Sequence, residues 1–173
     1  MSGAVQRIIE AYSFAMDNGD PRTTNWILID SFLPSALIMI SYLIFIHVGS
    51  KVMKHRSPLQ LRWLLVPYNF ALVLMSAYLC IQILSAAYEA RYSVVCQAVE
   101  SSEHPRVMKM AELIWLFYIS KIVELMDTVF FILRKKFNQV SFLHCYHHCT
   151  IVFNTWMGVK YAPGGQSMYF VLS

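Results

Sequence analysis

Ionisable side chains interrupt two apolar stretches of this sequence, Lys121-Ile-Val-Glu124-Leu-Met-Asp127-Thr128 and Gln139-Val-Ser-Phe-Leu-His144-Cys-Tyr-His147-His148. The basic run 134–136 separates them. At 100° per residue, the four polar residues of the first stretch share a helical sector of roughly 120°, and the three histidines of the second share one of roughly 100°. We therefore expect two consecutive helices whose polar faces both point into the interior of the protein.

Composition indicates the class of protein. Hydrophobic residues make up 57% of the 173 residues and charged residues 14%, whereas a soluble domain has roughly 25% charged residues. Most basic residues cluster beside apolar runs, so the net charge of +4 does not require a nucleic-acid partner. The sequence predicts an all-α polytopic membrane protein with one domain, residues 1–173, and the lipid bilayer as its surroundings.

The sequence contains four apolar runs that are long enough to cross a bilayer, and the start of a fifth. A spanning helix needs about 20 predominantly apolar residues. We place the spans at about residues 26–49, 63–88, 112–133, 139–159 and, for the start of the fifth, 166–173. Residues 1–25 are polar and mixed in charge, with a turn cluster at 18–21 and no visible signal peptide.

The third span is credible only if its charges are compensated. Its 13 Leu, Ile, Val and Phe residues favour insertion by about 4–8 kcal/mol in all, whereas each central charge costs roughly 2.5–3.5 kcal/mol. Lys121 and Glu124 are i, i+3 neighbours that can pair. The alternative to a functional site here is a purely structural ion pair, although ionisable residues inside a membrane usually mark a site.

Loop charges predict the orientation. Residues 51–62 contain four basic residues and no acidic residue, and 134–136 are all basic, whereas 89–110 are nearly neutral. By the positive-inside rule, the two basic connections face the cytoplasm. The N-terminus and residues 89–110 then lie on the other side.

The three histidines can act as metal ligands, acid–base groups or nucleophiles. Burying three imidazoles as mere core residues would require three sets of hydrogen-bond partners. The cysteines lack the spacing of a disulfide framework or a zinc site, and Cys145 and Cys149 are expected to be inert thiols. Aromatic and Met residues in the spans are expected simply to pack.

These two motifs together resemble the paired signature of the very-long-chain fatty acid elongases, a family of endoplasmic-reticulum membrane enzymes. The similarity runs from about Asn25 to the end and includes residues 64–69 and 158–165. Gln139, Tyr146 and Cys149 are more similar to the branch that acts on long, very long and polyunsaturated chains.

The resemblance implies a seven-helix fold and a multi-pass location in the endoplasmic reticulum membrane. It also implies the condensation of a long-chain acyl-CoA with malonyl-CoA to a 3-oxoacyl-CoA, with loss of carbon dioxide. No organic cofactor and no metal is implied. Further partners would be other enzymes of the elongation cycle and other elongase subunits.

The resemblance also assigns roles to residues. His147 would be the nucleophile that carries the acyl group, while His144 and His148 would orient it and transfer protons. The polar wall facing them would consist of Lys121, Glu124, Asp127, Thr128 and Gln139.

Two alternatives remain. The family pattern continues with a further motif that would follow Ser173, so the chain could be a catalytically inactive membrane scaffold that associates with full-length elongases. Di-iron membrane desaturases and hydroxylases also use H-x-x-H-H, but they need more histidines than the six present, of which His47, His55 and His104 are isolated.

Overall fold

The computed structural model describes residues 3–89 and 104–164. Within them the chain forms five α-helices and one short 3-10 helix, without β-strands: α1 Gly3–Asp17, α2 Leu33–Lys54, α3 Arg62–Glu89, α4 Pro105–Leu133, the 3-10 helix Phe137–Gln139 and α5 Phe142–Tyr161. The all-helical prediction is confirmed. In this part of the chain, α2 and α3 are long and apolar enough to cross a membrane, so four spans remain a prediction.

Helix α4 is the centre of the packing, because it contacts α2, α3 and α5. Its buried residues follow helical spacing along its whole length, and they include Met110, Ile114, Tyr118 and Leu125. The outer faces of α2 and α3, in contrast, expose large apolar side chains such as Leu37 and Val73. Helix α4, which carries the predicted ionisable residues, therefore lies inside the bundle, and α2 and α3 lie at its outside.

The first predicted span, 26–49, was placed too early, because α2 begins only at Leu33. Residues 26–32 form turns, and Leu28 has a φ of 66°, which a helix does not allow. The backbone carbonyls of this segment instead accept hydrogen bonds from tryptophan side chains of other helices. The indole of Trp115 donates to Ile27 O at 3.1 Å and that of Trp156 to Leu28 O at 3.0 Å.

Two other predicted spans have different bounds in the structure. Helix α4 begins at Pro105 rather than at 112, because His104 caps it by accepting a hydrogen bond from Arg106 N and because 107, 110 and 111 are buried. Helix α5 begins at Phe142 rather than at 139, with Ser141 as its N-cap. The second span, predicted at 63–88, agrees with α3, whereas the fifth, 166–173, lies outside the described residues.

Helix α1 was not predicted, since residues 1–25 gave only a polar segment with a turn. The turn follows α1 and leads into a segment that covers the C-terminal end of α5. Asp20 N donates to Lys160 O at 2.7 Å, and the Thr23 hydroxyl donates to Val159 O at 3.1 Å. A hydrogen bond from the Arg22 guanidinium, 2.6 Å away, lowers the pKa of the Asp20 carboxyl.

Lys160 is buried at this end, with 1% of its surface exposed, and its ammonium group donates to Asp30 O at 3.2 Å. The structure places it in the last turn of α5 under the 18–30 segment.

The basic connections meet at the other end of α5. The Lys135 ammonium group donates to Lys54 O and Arg56 O, each at 3.1 Å. Leu59 N also donates to Leu133 O at 3.0 Å. The two basic runs used to predict the cytoplasmic side therefore lie together, away from the segment that covers Lys160.

Candidate functional site: a histidine cluster between α4 and α5

A chain of side-chain contacts joins three helices at the first histidine. The Thr128 hydroxyl of α4 lies 2.8 Å from His144 Nε2 of α5, and the Tyr42 hydroxyl of α2 lies 3.0 Å from the Thr128 hydroxyl. Thr128 and Tyr42 are buried. Because these contacts fix one ring nitrogen, they orient the His144 imidazole.

The three imidazoles lie next to one another along α5. The ring centroids of His144 and His148 are 4.4 Å apart, and those of His147 and His148 are 5.8 Å apart. His147 is exposed, His144 is half-buried and His148 is buried. An exposed imidazole thus lies beside a buried one, with a half-buried third next to it, which is an arrangement suited to a nucleophile with neighbouring acid–base groups.

His148 has an unsatisfied polar atom. Its Nδ1 is buried, and within residues 3–89 and 104–164 no group is within hydrogen-bonding distance of it. A buried nitrogen without a partner is costly and needs an explanation. A proton relay or a bound ligand would supply one.

Lys121 and Glu124 form the ion pair that their i, i+3 spacing predicted. The Lys121 ammonium lies 2.8 Å and 3.1 Å from the two carboxylate oxygens, and the two side chains are 20% and 22% exposed. The ammonium also lies 4.7 Å from the centroid of the Phe117 ring. These contacts compensate two of the three charges that α4 carries at its centre.

Asp127 of α4 lies near groups of both neighbouring helices, the Tyr68 hydroxyl of α3 and the His144 imidazole of α5. The Tyr68 hydroxyl donates to Val123 O at 3.2 Å. Gln139 lies in the 3-10 helix with its side chain exposed. Of the five residues predicted for the polar wall, Thr128 is hydrogen-bonded to a histidine, whereas Gln139 lies outside the cluster.

Sequence reasoning missed Tyr42 and Tyr68, because aromatic residues in the spans were expected only to pack. A tyrosine hydroxyl in an apolar helix needs a hydrogen-bond partner, and that requirement was the available signal. It could have marked both residues as polar positions without identifying what they contact.

Within residues 3–89 and 104–164, no group of three or more His, Cys, Asp or Glu side chains is arranged to hold a metal ion. Cys145 and Cys149 are unpaired and half-buried thiols on α5.

The fold and the site define an all-helical protein whose outer helices are apolar and which carries a histidine cluster between two helices. Comparison with known proteins then gives the family. Residues 27–173 match the ELO family, described as GNS1/SUR4. The chain belongs to this family, and with its apolar helices this membership indicates a membrane protein.

Individual relatives agree with this assignment. The chain is 42% identical to human very long chain fatty acid elongase 4 over 169 residues, which cover 98% of the chain and 54% of that protein. It is 40% identical to rat very long chain fatty acid elongase 7 over 172 residues, covering 99% of the chain and 61% of that protein. It is also 38% identical to human very long chain fatty acid elongase 1 over 97% of the chain. The chain therefore spans little more than half the length of these relatives.

Proposed function

We propose that this protein acts in fatty acid elongation as a very-long-chain 3-oxoacyl-CoA synthase. The observation that carries the proposal is the histidine cluster of α5. In it, exposed His147 lies beside buried His148 and near His144, whose ring is hydrogen-bonded to the Thr128 hydroxyl. Membership of a family whose relatives are named as elongases supports the substrate class. The substrates would be a long-chain acyl-CoA and malonyl-CoA, at the endoplasmic reticulum membrane.

In the first half-reaction, a ring nitrogen of His147 attacks the thioester carbonyl of the acyl-CoA. The carbon–sulfur bond breaks, the acyl group stays on the imidazole, and CoA leaves as its thiol after taking up the proton that the imidazole gives up. His148 is the neighbour that can accept and pass on this proton, because its Nδ1 has no partner among the described groups.

In the second half-reaction, malonyl-CoA loses carbon dioxide, and the electron pair of the broken carbon–carbon bond forms a nucleophilic carbon. That carbon attacks the acyl-imidazole carbonyl, and the carbon–nitrogen bond breaks. His147 takes up a proton from solvent as this bond breaks, so the products are carbon dioxide, a 3-oxoacyl-CoA two carbons longer than the acyl-CoA, and free His147, and the two half-reactions together consume one proton. The reaction balances without an oxidant or a reductant.

The remaining polar residues hold this arrangement. Thr128 and Tyr42 orient His144, and the Lys121–Glu124 pair compensates two charges of α4. Asp127 supplies a further carboxylate near His144. These groups surround the histidines with fixed dipoles, which stabilise charge that develops during acyl transfer.

The test is elongation of a long-chain acyl-CoA by the protein expressed at the full length of its relatives, with the C-terminal part of rat elongase 7 joined after Ser173. His147→Ala is expected to abolish elongation. His47→Ala is the matched control, because His47 is an exposed histidine of α2, and it is expected to retain wild-type activity.

Wild-type elongation by His147→Ala would refute the proposal. Activity that disappears on iron removal and returns on iron addition would instead favour the di-iron alternative.

A further inference from the structure

Helix α1 is amphipathic in a way that the histidine site does not explain. Val5, Ile8, Ile9, Tyr12 and Met16 fall within a sector of roughly 100°, which we call the α1 stripe. The polar residues occupy the opposite side of the helix, together with Phe14: Gln6, Arg7, Glu10, Ser13 and Asp17. The pattern is that of a helix lying at the boundary between an apolar and an aqueous phase.

One end of α1 is held against the bundle. Met16, the last member of the α1 stripe, packs against the hydrophobic core. The Tyr161 hydroxyl of α5 donates to Ala15 O at 3.0 Å. Together with the bond from Asp20 N to Lys160 O, these contacts attach α1 to the end of α5 that carries Lys160.

The rest of the α1 stripe is uncovered. Ile8 is 68% exposed and Ile9 52% exposed, and Val5 and Tyr12 are also exposed. Since these residues share a sector with Met16, the stripe points along α1 toward the same side as the core of the bundle. The exposed apolar surface of the α1 stripe is therefore continuous with the core at Met16.

We propose that α1 lies in the membrane interface at the Lys160 end of the bundle, with the α1 stripe against the acyl chains of the lipids. The lipid-facing surface of α2 begins at the same end, where Leu33 and Leu37 are exposed, so lipid that contacts α2 continues beneath α1. The single Arg7 against Glu10 and Asp17 gives α1 no excess of positive charge. Apolar contact rather than attraction to anionic headgroups therefore holds it there. This inference rests on the membrane character of the chain and is independent of the proposed chemistry.

The experiment places an environment-sensitive fluorophore at single positions of α1. The native cysteines are replaced by serine, and Ile8→Cys and Ile9→Cys label the stripe, while Glu10→Cys and Ser13→Cys are matched controls on the polar side. Each labelled chain is reconstituted in phosphatidylcholine vesicles that contain either phosphatidylcholine spin-labelled near the headgroup or iodide in the aqueous phase.

Labels at 8 and 9 are expected to emit at shorter wavelength than labels at 10 and 13. Spin-labelled lipid should quench the labels at 8 and 9 at least twofold more than those at 10 and 13. Iodide should show the reverse order. Equal iodide quenching at all four positions would overturn the proposal, because α1 would then lie in water. Labels at 8 and 9 that neither quencher reaches would also overturn it, since a further part of the protein or a second copy would then cover the stripe.

Discussion

Thr128 is the residue through which three helices reach the histidine cluster. Its buried hydroxyl contacts His144 on one side and Tyr42 on the other. A single hydroxyl can donate one hydrogen bond and accept others, so it can satisfy both partners at once. Removal of this hydroxyl would take its hydrogen-bond partner from His144 Nε2 and one contact from the Tyr42 hydroxyl.

Thr128→Val keeps the shape of the side chain and removes the hydroxyl. We expect elongation by the protein extended as above to fall about tenfold or more, because one lost hydrogen bond costs about 1–1.5 kcal/mol and a buried unpaired group costs more. Thr128→Ser keeps the hydroxyl and should retain most of the activity. Equal activity of the Val and Ser variants would show that the hydroxyl does not orient His144.

The Lys121–Glu124 pair gives a second prediction, on stability. Glu124→Gln leaves the ammonium of Lys121 without its carboxylate in the bundle, so the thermal midpoint in detergent should fall. The double variant Lys121→Met with Glu124→Gln removes both charges and should recover part of the loss. Lys121→Met alone completes the cycle, and if its effect and that of Glu124→Gln add up to the effect of the double variant, the pair contributes nothing to stability.

At the residue scale, the sequence predicted contacts between residues of one helix and missed contacts between residues of different helices. The Lys121–Glu124 contact follows from i, i+3 spacing on one helix. The contact of Thr128 with Tyr42 depends on how α2 packs against α4, and no spacing along the chain encodes that packing. Gln139 lies in the 3-10 turn that precedes α5, and its part in the polar wall stays a prediction.

The segment between α1 and α2 is the element that closes the Lys160 end of the bundle. Gly19 lies against the side chain of Lys160, and a Cβ built at Gly19 would be 2.8 Å from Lys160 Cδ and would collide with Cε. The lysine cannot easily move away, because it is buried and its ammonium group is bound to Asp30 O.

Gly19→Ala is therefore expected to destabilise the protein by about 1–3 kcal/mol, the typical effect of overpacking. The measurement is the midpoint of thermal or denaturant unfolding. Gly3→Ala is the matched control, since nothing lies within 4 Å of a Cβ at Gly3, and its midpoint should not fall. A Gly19→Ala midpoint equal to that of Gly3→Ala would show that Lys160 is not fixed beneath this segment.

The positions of helix ends show why element bounds were harder to predict than element type. Apolar composition correctly indicated helices, but Trp26 to Asp30 is apolar enough to resemble the start of a helix. Its carbonyl groups accept hydrogen bonds from the side chains of Trp115, Trp156 and Lys160, which belong to other elements. Such long-range hydrogen bonds outweigh local propensity, so α2 begins seven residues later than Trp26.

On the scale of the whole molecule, the bundle has two chemically different ends. The basic runs of residues 51–56 and 134–136 meet at one end through Lys135, and α1 with the segment around Asp20 lies at the other. The positive-inside rule predicts that the first end faces the cytoplasm.

An N-glycosylation acceptor engineered into residues 95–102, which lie outside the described part of the chain, should be modified in microsomes. An accessible acceptor in residues 51–60 should remain unmodified, because the basic end would be held in the cytoplasm. The opposite labelling pattern would reverse the orientation, and the histidine-bearing helix would then start on the luminal side.

The central claim is that His147 carries the acyl group, and the most direct measurement is mass spectrometry of the protein, extended as above, after incubation with a long-chain acyl-CoA without malonyl-CoA. We predict one acyl group on the peptide containing His147, released CoA in equal amount, and loss of the acyl adduct when malonyl-CoA is added. His147→Ala should show neither adduct nor CoA release. An acyl adduct on another residue, or wild-type CoA release by His147→Ala, would contradict this account.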